Sequence, residues 1–266
     1  MNQLPHEFAG PLLRRTAELP PLASRVLWRA ETGSTNADAA ALAEAGAAEG
    51  AVVVADLQTA GRGRLGRSWS SPPGAGIYAS VLLRPEALVA RLLPIAAGVA
   101  IAEAIEEITG LAPALKWPND VYLAGGEAHP ARKVAGILAE SGVSAGDGWV
   151  IIGFGINVLP AALPAHLTRA TSLETELGRT VDRGELLAAC LVRLAIRYRD
   201  LTEGRRAYVL EAWRARAAST FGRRVEWDEG DVVMSGVVTG IDDDGGLVVG
   251  TAGGAVRIVS GEVRWP

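Results

Sequence analysis

The chain has one cysteine, three histidines and two methionines in 266 residues, and aromatics make up only 5% of it. A single cysteine excludes an intramolecular disulfide and with it the disulfide-stapled class of small domains. His6, His129 and His166 stand far apart and make no ligand-spaced set with Cys190, so neither a zinc site nor a Cys–His nucleophile pair is predicted. Cys190 falls within a helical pattern from Glu185 to Ala195 and is expected as a small core residue. Long hydrophobic runs are missing too. The longest, Leu92 to Ala102, is broken by Pro94 and bounded by Arg91 and Glu103, short of the ~20 residues that span a bilayer. No basic segment followed by an apolar one opens the chain, which sets the expectation of no secretion signal and a cytoplasmic location. Nor is positive charge in excess: a formal net charge of −4 argues against a broad basic face for nucleic acid, because such binding relies on many phosphate neutralisations.

What positive charge there is must serve a small anion, and it is concentrated. Residues 61–67 read Gly61-Arg62-Gly63-Arg64-Leu65-Gly66-Arg67. Glycine lets a loop bring backbone N–H groups close to a ligand, and guanidinium offers planar donors that match phosphate or carboxylate. The spacing also satisfies the dinucleotide pattern G-x-G-x-x-G, but that turn must open a helix, and here Ser70-Ser71-Pro72-Pro73-Gly74 follows. The segment is expected to be a loop, either an anion site or a solvated basic stretch.

Hydrophobic content of 49% with 21% charged residues suits a folded chain, long enough for one large domain and a small one. Ser34-Thr35-Asn36 precedes an alanine-rich helical run that a polar residue can cap. Strands are predicted at 51–56 and 77–83, and a helix from Val89 to Thr109 ended by Gly110. Short apolar runs broken by Gly, Pro and Asn read as strands between 112 and 158, and amphipathic helices follow at roughly 182–201 and 204–219. Beyond Phe221 the text becomes short β runs separated by Asp-Gly and Gly-Gly turns. The expected division is an N-terminal extension (1–27), a mixed α/β domain (28–219) and a small barrel-like β domain (220–266), the last leaning on the second because it is small.

Three further clusters stand out. Lys116-Trp117-Pro118-Asn119-Asp120 is a stiff turn that projects polar side chains from a rigid support, or simply a tight polar turn. Lys133 opens the apolar run to Ala139 and reads alone as a strand-edge charge. Gly153-Phe154-Gly155-Ile156-Asn157 places glycines on a strand, where they permit close approach.

Together these segments resemble the biotin protein ligase family in its short form, from about Trp28 to the C-terminus. Five blocks match in order: Ser34 to Asn36; Gln58 to Arg67 with Trp69; Lys116 to Asp120; Lys133 to Leu138; and Gly153 to Asn157. The resemblance implies a mixed-sheet catalytic domain of the biotin/lipoate ligase type with a small C-terminal SH3-like β-barrel. It implies ATP and Mg²⁺ as reactants with biotin, formation of biotinyl-5′-adenylate, and transfer to a lysine of a biotin carboxyl carrier domain of acetyl-CoA or a related acyl-CoA carboxylase. Residue chemistry agrees: bringing a carboxylate to a phosphate calls for cations that act in the transition state.

By the same resemblance, the catalytic group is Lys133, Arg64, Lys116 and Asp120. Lys133 bridges the biotin carboxylate and α-phosphate, Arg64 retains the adenylate, and Asp120 either contacts Arg64 or assists amine deprotonation. Biotin would be held by Ser34, Thr35, Asn36, Gln58, Gly61, Arg62, Gly63, Arg64, Lys133, Gly136 and Ile137. The nucleotide would be held by Arg62, Arg64, Arg67, Trp69, Asn119, Lys133 and Asn157, with Trp69 near the adenine. Mg²⁺ needs few protein ligands because phosphates and water fill its shell, so its ligands are not assigned. Prolines at 5, 11, 20 and 21 leave no room for a helix-turn-helix unit before the first block, so no nucleic-acid partner is expected, and no membrane; oligomeric state stays open between monomer and weak dimer. A lipoate or octanoate ligase, or a non-catalytic biotin or nucleotide sensor, are the rival readings. Two features depart from the family pattern: the length of Gly125 to Arg132, and the bulk of Phe154, which is expected to reshape the pocket wall.

Overall fold

The computed structural model describes residues 3–123, 131–144, 146–164, 166–230 and 232–265. A seven-stranded mixed sheet organises the first 216 residues: β1 (Arg25–Thr32), β2 (Ala51–Gln58), β3 (Gly76–Leu83), β4 (Pro113–Lys116), β5 (Asp120–Leu123), β6 (Arg132–Ser144) and β7 (Asp147–Asn157), in the order β1-β2-β3-β7-β6-β5-β4. Only the β1/β2 pair is parallel, joined through helix α2 (Thr35–Glu44); every other pair is antiparallel.

Alternation along the strands divides the sheet into two faces. Val54, Ala79, Phe154 and Ile137 lie side by side across four strands, and all are buried in one core with helices α3 (Ala87–Thr109) and α5 (Arg183–Thr202). The Phe154 side chain therefore packs into the helix layer between two glycines of the opposite face, while the residue also lines the site cavity. The other face carries α2 at one end, where Ala39 and Ala43 pack on Val53, Leu82 and Ile151. The rest of that face is left for the site.

Helix α3 has 23 residues and contains an 18-residue stretch of mean hydropathy 1.9, enough to cross a membrane by length and composition, where the sequence suggested too short a run. Yet 72% of that stretch is buried against the sheet and α5, the position of a core helix. It ends at Gly110, whose φ of 76° is the left-handed cap conformation. Cys190 is fully buried on α5, and burial pushes its thiol pKa up, which fits a packing role.

The extension holds an element that the sequence did not suggest. Helix α1 (His6–Arg14) contains Pro11, yet it buries Phe8 and Leu12 against α5 and is tied there by Arg183 to Glu7 and by Arg14 to Glu185. After α4 (Leu173–Leu177), α5 and α6 (Arg206–Arg216), the chain enters a second, antiparallel five-stranded sheet. Its strands are β8 (Arg224–Glu229), β9 (Val232–Ile241), β10 (Leu247–Thr251), β11 (Gly254–Ile258) and β12 (Val263–Arg264), in the order β11-β10-β9-β8-β12. Trp117 Nε1 donates to Gly245 O at 2.9 Å, so the β4–β5 turn is fastened to the β9–β10 turn. The departure at Gly125 to Arg132 falls mostly outside the described residues.

Candidate active site

Register gathers the site. Lys116 pairs with Asp120, Asp120 with Gly136, Gly136 with Gly155 and Gly155 with Tyr78, a row running from β4 to β3. Residues two apart share the face, which adds Tyr122, Leu138, Glu140, Gly153 and Ser80. Strict alternation would turn Lys133 to the helix side. A bulge at Val134, the extra residue between the Val121–Ala135 and Tyr122–Lys133 pairs, returns it to the site face. Lys133 thus stands on an interior strand rather than at a sheet edge, with Nζ 2.5 Å from Asp120 Oδ1. That contact is an ion pair without aligned hydrogen-bond geometry.

Three glycines form the floor. A Cβ on Gly155 would lie 2.4 Å from the Trp69 indole, one on Gly136 3.0 Å from it, and one on Gly153 1.9 Å from Asn36 Oδ1. These glycines make room for side chains of the protein itself. Lys133 Nζ sits 5.4 Å from the centre of a Trp69 ring, within cation–π range, and Trp69 Nε1 is buried without a hydrogen-bond partner. Gly153→Ala is expected to destabilise the fold by about 1–3 kcal/mol, because the methyl must displace buried Asn36. Urea unfolding measures it, with Gly240→Ala, where no atom lies within 4 Å, as a near-neutral control.

One end of the cavity is uncharged. Ser34 occupies the cap position of α2, but its side chain makes no cap hydrogen bond; Gln58 Oε1 accepts from Thr35 N at 2.8 Å instead, and from Thr35 Oγ1 at 3.1 Å. Gln58 Nε2 donates to Ser71 Oγ at 2.8 Å. Ser80 Oγ donates to Asn36 Oδ1 at 2.6 Å, and Asn36 Nδ2 donates to Glu140 Oε2 at 2.7 Å. The predicted capping segment is thus positioned by a glutamine twenty-three residues on.

The other end is cationic. Loop 61–67 crosses to it and is held at three points: Arg62 Nη2 on Glu140 Oε2 at 3.0 Å, Arg64 between Asn119 Oδ1 (3.3 Å) and Gly261 O (3.0 Å), and Arg67 on Glu262. Asp120 is in contact with Lys133, and Arg64 with Asn119, so the expected direct Asp120–Arg64 contact is replaced by these two. Burial pulls the Arg64 pKa down, partly offset by Asp120 and Glu262. Positive φ occurs at Leu65 (57°) and Gly66 (72°), whereas Gly63 is extended. Gly61 is needed because a Cβ there would meet Trp69 O at 2.5 Å. Lys116 Nζ lies 5.0 Å from the Trp265 ring centre and 5.5 Å from that of Tyr122; burial pushes its pKa down to about 8 and that of Tyr122 up to about 12.

One cavity of ≈ 570 Å³ runs from Ser34, Thr35, Asn36 and Gln58 to Arg62, Arg64, Arg67, Lys116 and Lys133. Of the residues singled out in the sequence, Gly61 alone does not border it. Asn157 does, with Nδ2 donating to Thr171 O at 3.1 Å. Sequence reasoning missed the C-terminal wall of Glu262, Val263, Arg264 and Trp265, the residues Leu163, Pro164, Leu167, Arg169 and Ala170, and Glu140. Glu140 had a local signal: it lies two and four residues beyond Leu138 and Gly136 on the same strand face. The tail had none, since only tertiary packing brings it there. Among the described residues no cluster of three or more His, Cys, Asp or Glu side chains could hold a metal.

The site is thus a mixed sheet with a glycine floor, a cationic loop over it and a small β unit at its side. Residues 31–157 match the Biotin/lipoate A/B protein ligase family and residues 220–264 the Biotin protein ligase C terminal domain. The chain is 37% identical to the bifunctional ligase/repressor BirA of Bacillus subtilis, across 87% of this chain and 71% of that one. It is 38% identical to the biotin--[acetyl-CoA-carboxylase] ligase of Paracoccus denitrificans, across 88% and 98%. The Aquifex aeolicus biotin protein ligase in complex with biotin and ATP superposes with a TM-score of 0.76 at 34% identity, covering 91% of this chain and all of that one. The chain belongs to the biotin protein ligase family.

Proposed function

We propose that this protein uses ATP to activate biotin as biotinyl-5′-adenylate and then transfers biotin to a lysine of a carrier domain of acetyl-CoA or a related acyl-CoA carboxylase. The observation that carries this reading is the convergence of five separated motifs on one cavity, neutral and hydrogen-bonding at one end, cationic at the other. A carboxylic acid with an uncharged polar head fits that polarity: the head lies by Ser34, Thr35 and Gln58, and the carboxylate meets Lys133. Arg62, Arg64, Arg67 and Asn119 border the nucleotide, whose Mg²⁺ arrives with its phosphates, and Trp69 and Asn157 line its path. Asp120 orients Lys133 and is placed to receive a proton from the acceptor amine. The reading keeps the division at 219/220, places the reaction in the cytoplasm and involves neither DNA nor membrane.

Selectivity tests it. Pyrophosphate release with ATP and Mg²⁺ is expected with biotin and not with octanoate or lipoate; turnover with a fatty acid and silence with biotin would make this a lipoate-type ligase. The pH response follows from Lys116. Its cation serves the phosphates and is lost as pH rises through about 8, so kcat/KM for ATP falls above that pH. A bound phosphate raises the pKa of the lysine, so kcat declines at higher pH than kcat/KM does. Lys116→Arg, which keeps its charge, is expected to flatten the alkaline limb of the kcat/KM profile.

A further inference from the structure

Most cations near the cavity have an acidic partner: Lys133 has Asp120, Arg62 has Glu140, Arg67 has Glu262, and Arg264 has Asp228. Two do not. Lys116 and Arg169 border the cavity, and neither makes an ion pair or side-chain hydrogen bond with any described residue. In a chain with more carboxylates than cations, two unpaired cations at one end of a cleft suggest a missing anion.

Arg169 is placed there by the backbone. The segment around Ala170 forms a parallel bridge to Lys133: Lys133 N donates to Arg169 O at 2.9 Å, and Thr171 N donates to Lys133 O at 2.8 Å. Arg169 is therefore built into the strand end that carries Lys133, one of three cations, with Arg223 and Lys133, whose charge opposes protonation of Lys116. Asp120, the carboxylate that favours that protonation, is already in contact with Lys133.

We propose that Arg169, beside the Lys116 cation that already serves the phosphates, binds the β- and γ-phosphates of ATP and holds the pyrophosphate as it leaves. This rests on the ligase reading above and assigns the leaving-group end of the same site. In the step, a biotin carboxylate oxygen forms a bond to the α-phosphorus, the bond from that phosphorus to the bridging oxygen breaks, and its electron pair departs on pyrophosphate. No proton moves. The charge that develops on the bridging oxygen is what two unpaired cations stabilise, and a guanidinium can meet two phosphate oxygens at once.

The two half-reactions separate this role from others, because biotinyl-5′-adenylate lacks the β- and γ-phosphates. Arg169→Gln is expected to raise KM for ATP about tenfold or more, as loss of a charged phosphate contact does, and to weaken product inhibition by pyrophosphate to a similar degree. Transfer from supplied biotinyl-5′-adenylate to a carrier domain should stay at the wild-type rate, and Arg169→Lys should restore most of the ATP affinity. Removing a side chain with no partner among the described residues leaves folding intact, which a thermal melt verifies. Calorimetry of inorganic pyrophosphate with the wild-type protein is an arm independent of ligase activity: binding weakened by Arg169→Gln supports the anion site even if no biotin were activated. Unchanged KM for ATP and unchanged pyrophosphate binding would overturn the proposal. So would slowed transfer with normal activation, which would make Arg169 a contact for the carrier.

Discussion

Lys133→Ala is expected to reduce biotin-dependent pyrophosphate release by about 10³-fold while leaving the protein folded. The size of the effect follows from where the ammonium stands. A bulge at Val134 turns it to the glycine floor, Asp120 holds Nζ at 2.5 Å, and the Trp69 ring flanks it at 5.4 Å. A positive charge fixed before substrate arrives stabilises the meeting of carboxylate and phosphate without reorganisation at the moment of reaction. Lys133→Arg keeps the charge, but the neighbouring indole and Asp120 are set for a smaller head, so only partial recovery is expected. Asp120 would be left without its ion pair in the alanine variant, at a stability cost of about 1–3 kcal/mol, visible as a lower melting temperature without loss of cooperative unfolding. Near-normal pyrophosphate release from a folded variant would remove Lys133 from the chemistry.

Arg64→Gly is expected to leave adenylate formation within about tenfold of wild type but to let the adenylate escape, so that lysines of bystander proteins become biotinylated. Arg64 is the central of the three loop anchors, joining the β4–β5 turn at Asn119 to the C-terminal tail at Gly261. Its loss leaves Arg62 on Glu140 and Arg67 on Glu262, so the two ends of the loop stay attached while the middle opens. A mixed anhydride shielded by that middle segment would then meet solvent and free amines. Incubation with a mixture of unrelated proteins and detection of attached biotin reads this out. A variant that labels only its carrier would show that retention depends on other groups.

The fold was legible where one local rule dominates. Short continuous apolar runs marked β2, β3 and β7, which are buried on both faces, and Gly110 marked the end of α3. Helix α1 was hidden because Pro11 argues against a helix interior, while what stabilises it is burial of Phe8 and Leu12 on a helix some 170 positions later, as the Arg14–Glu185 pair measures. The site motifs were legible as chemistry and converge on one cavity, but several act indirectly. Gln58 caps a helix, Asn36 is bound up between Ser80 and Glu140, and Gly153 and Gly155 accommodate protein side chains. The side chain of Ile137 is turned to the helix layer. Nothing local to Glu262 or Trp265 marks them as walls of a cavity whose floor is more than a hundred residues away; only the docking of the second sheet, through Trp117 and Gly245, places them there.

The most direct test of the central claim is intact-mass analysis of a biotin carboxyl carrier domain after incubation with this protein, biotin, ATP and Mg²⁺. The account predicts a single biotin adduct on one lysine, dependent on ATP and lost with Lys133→Ala. An unmodified carrier under conditions where the folded protein binds both biotin and ATP would contradict it.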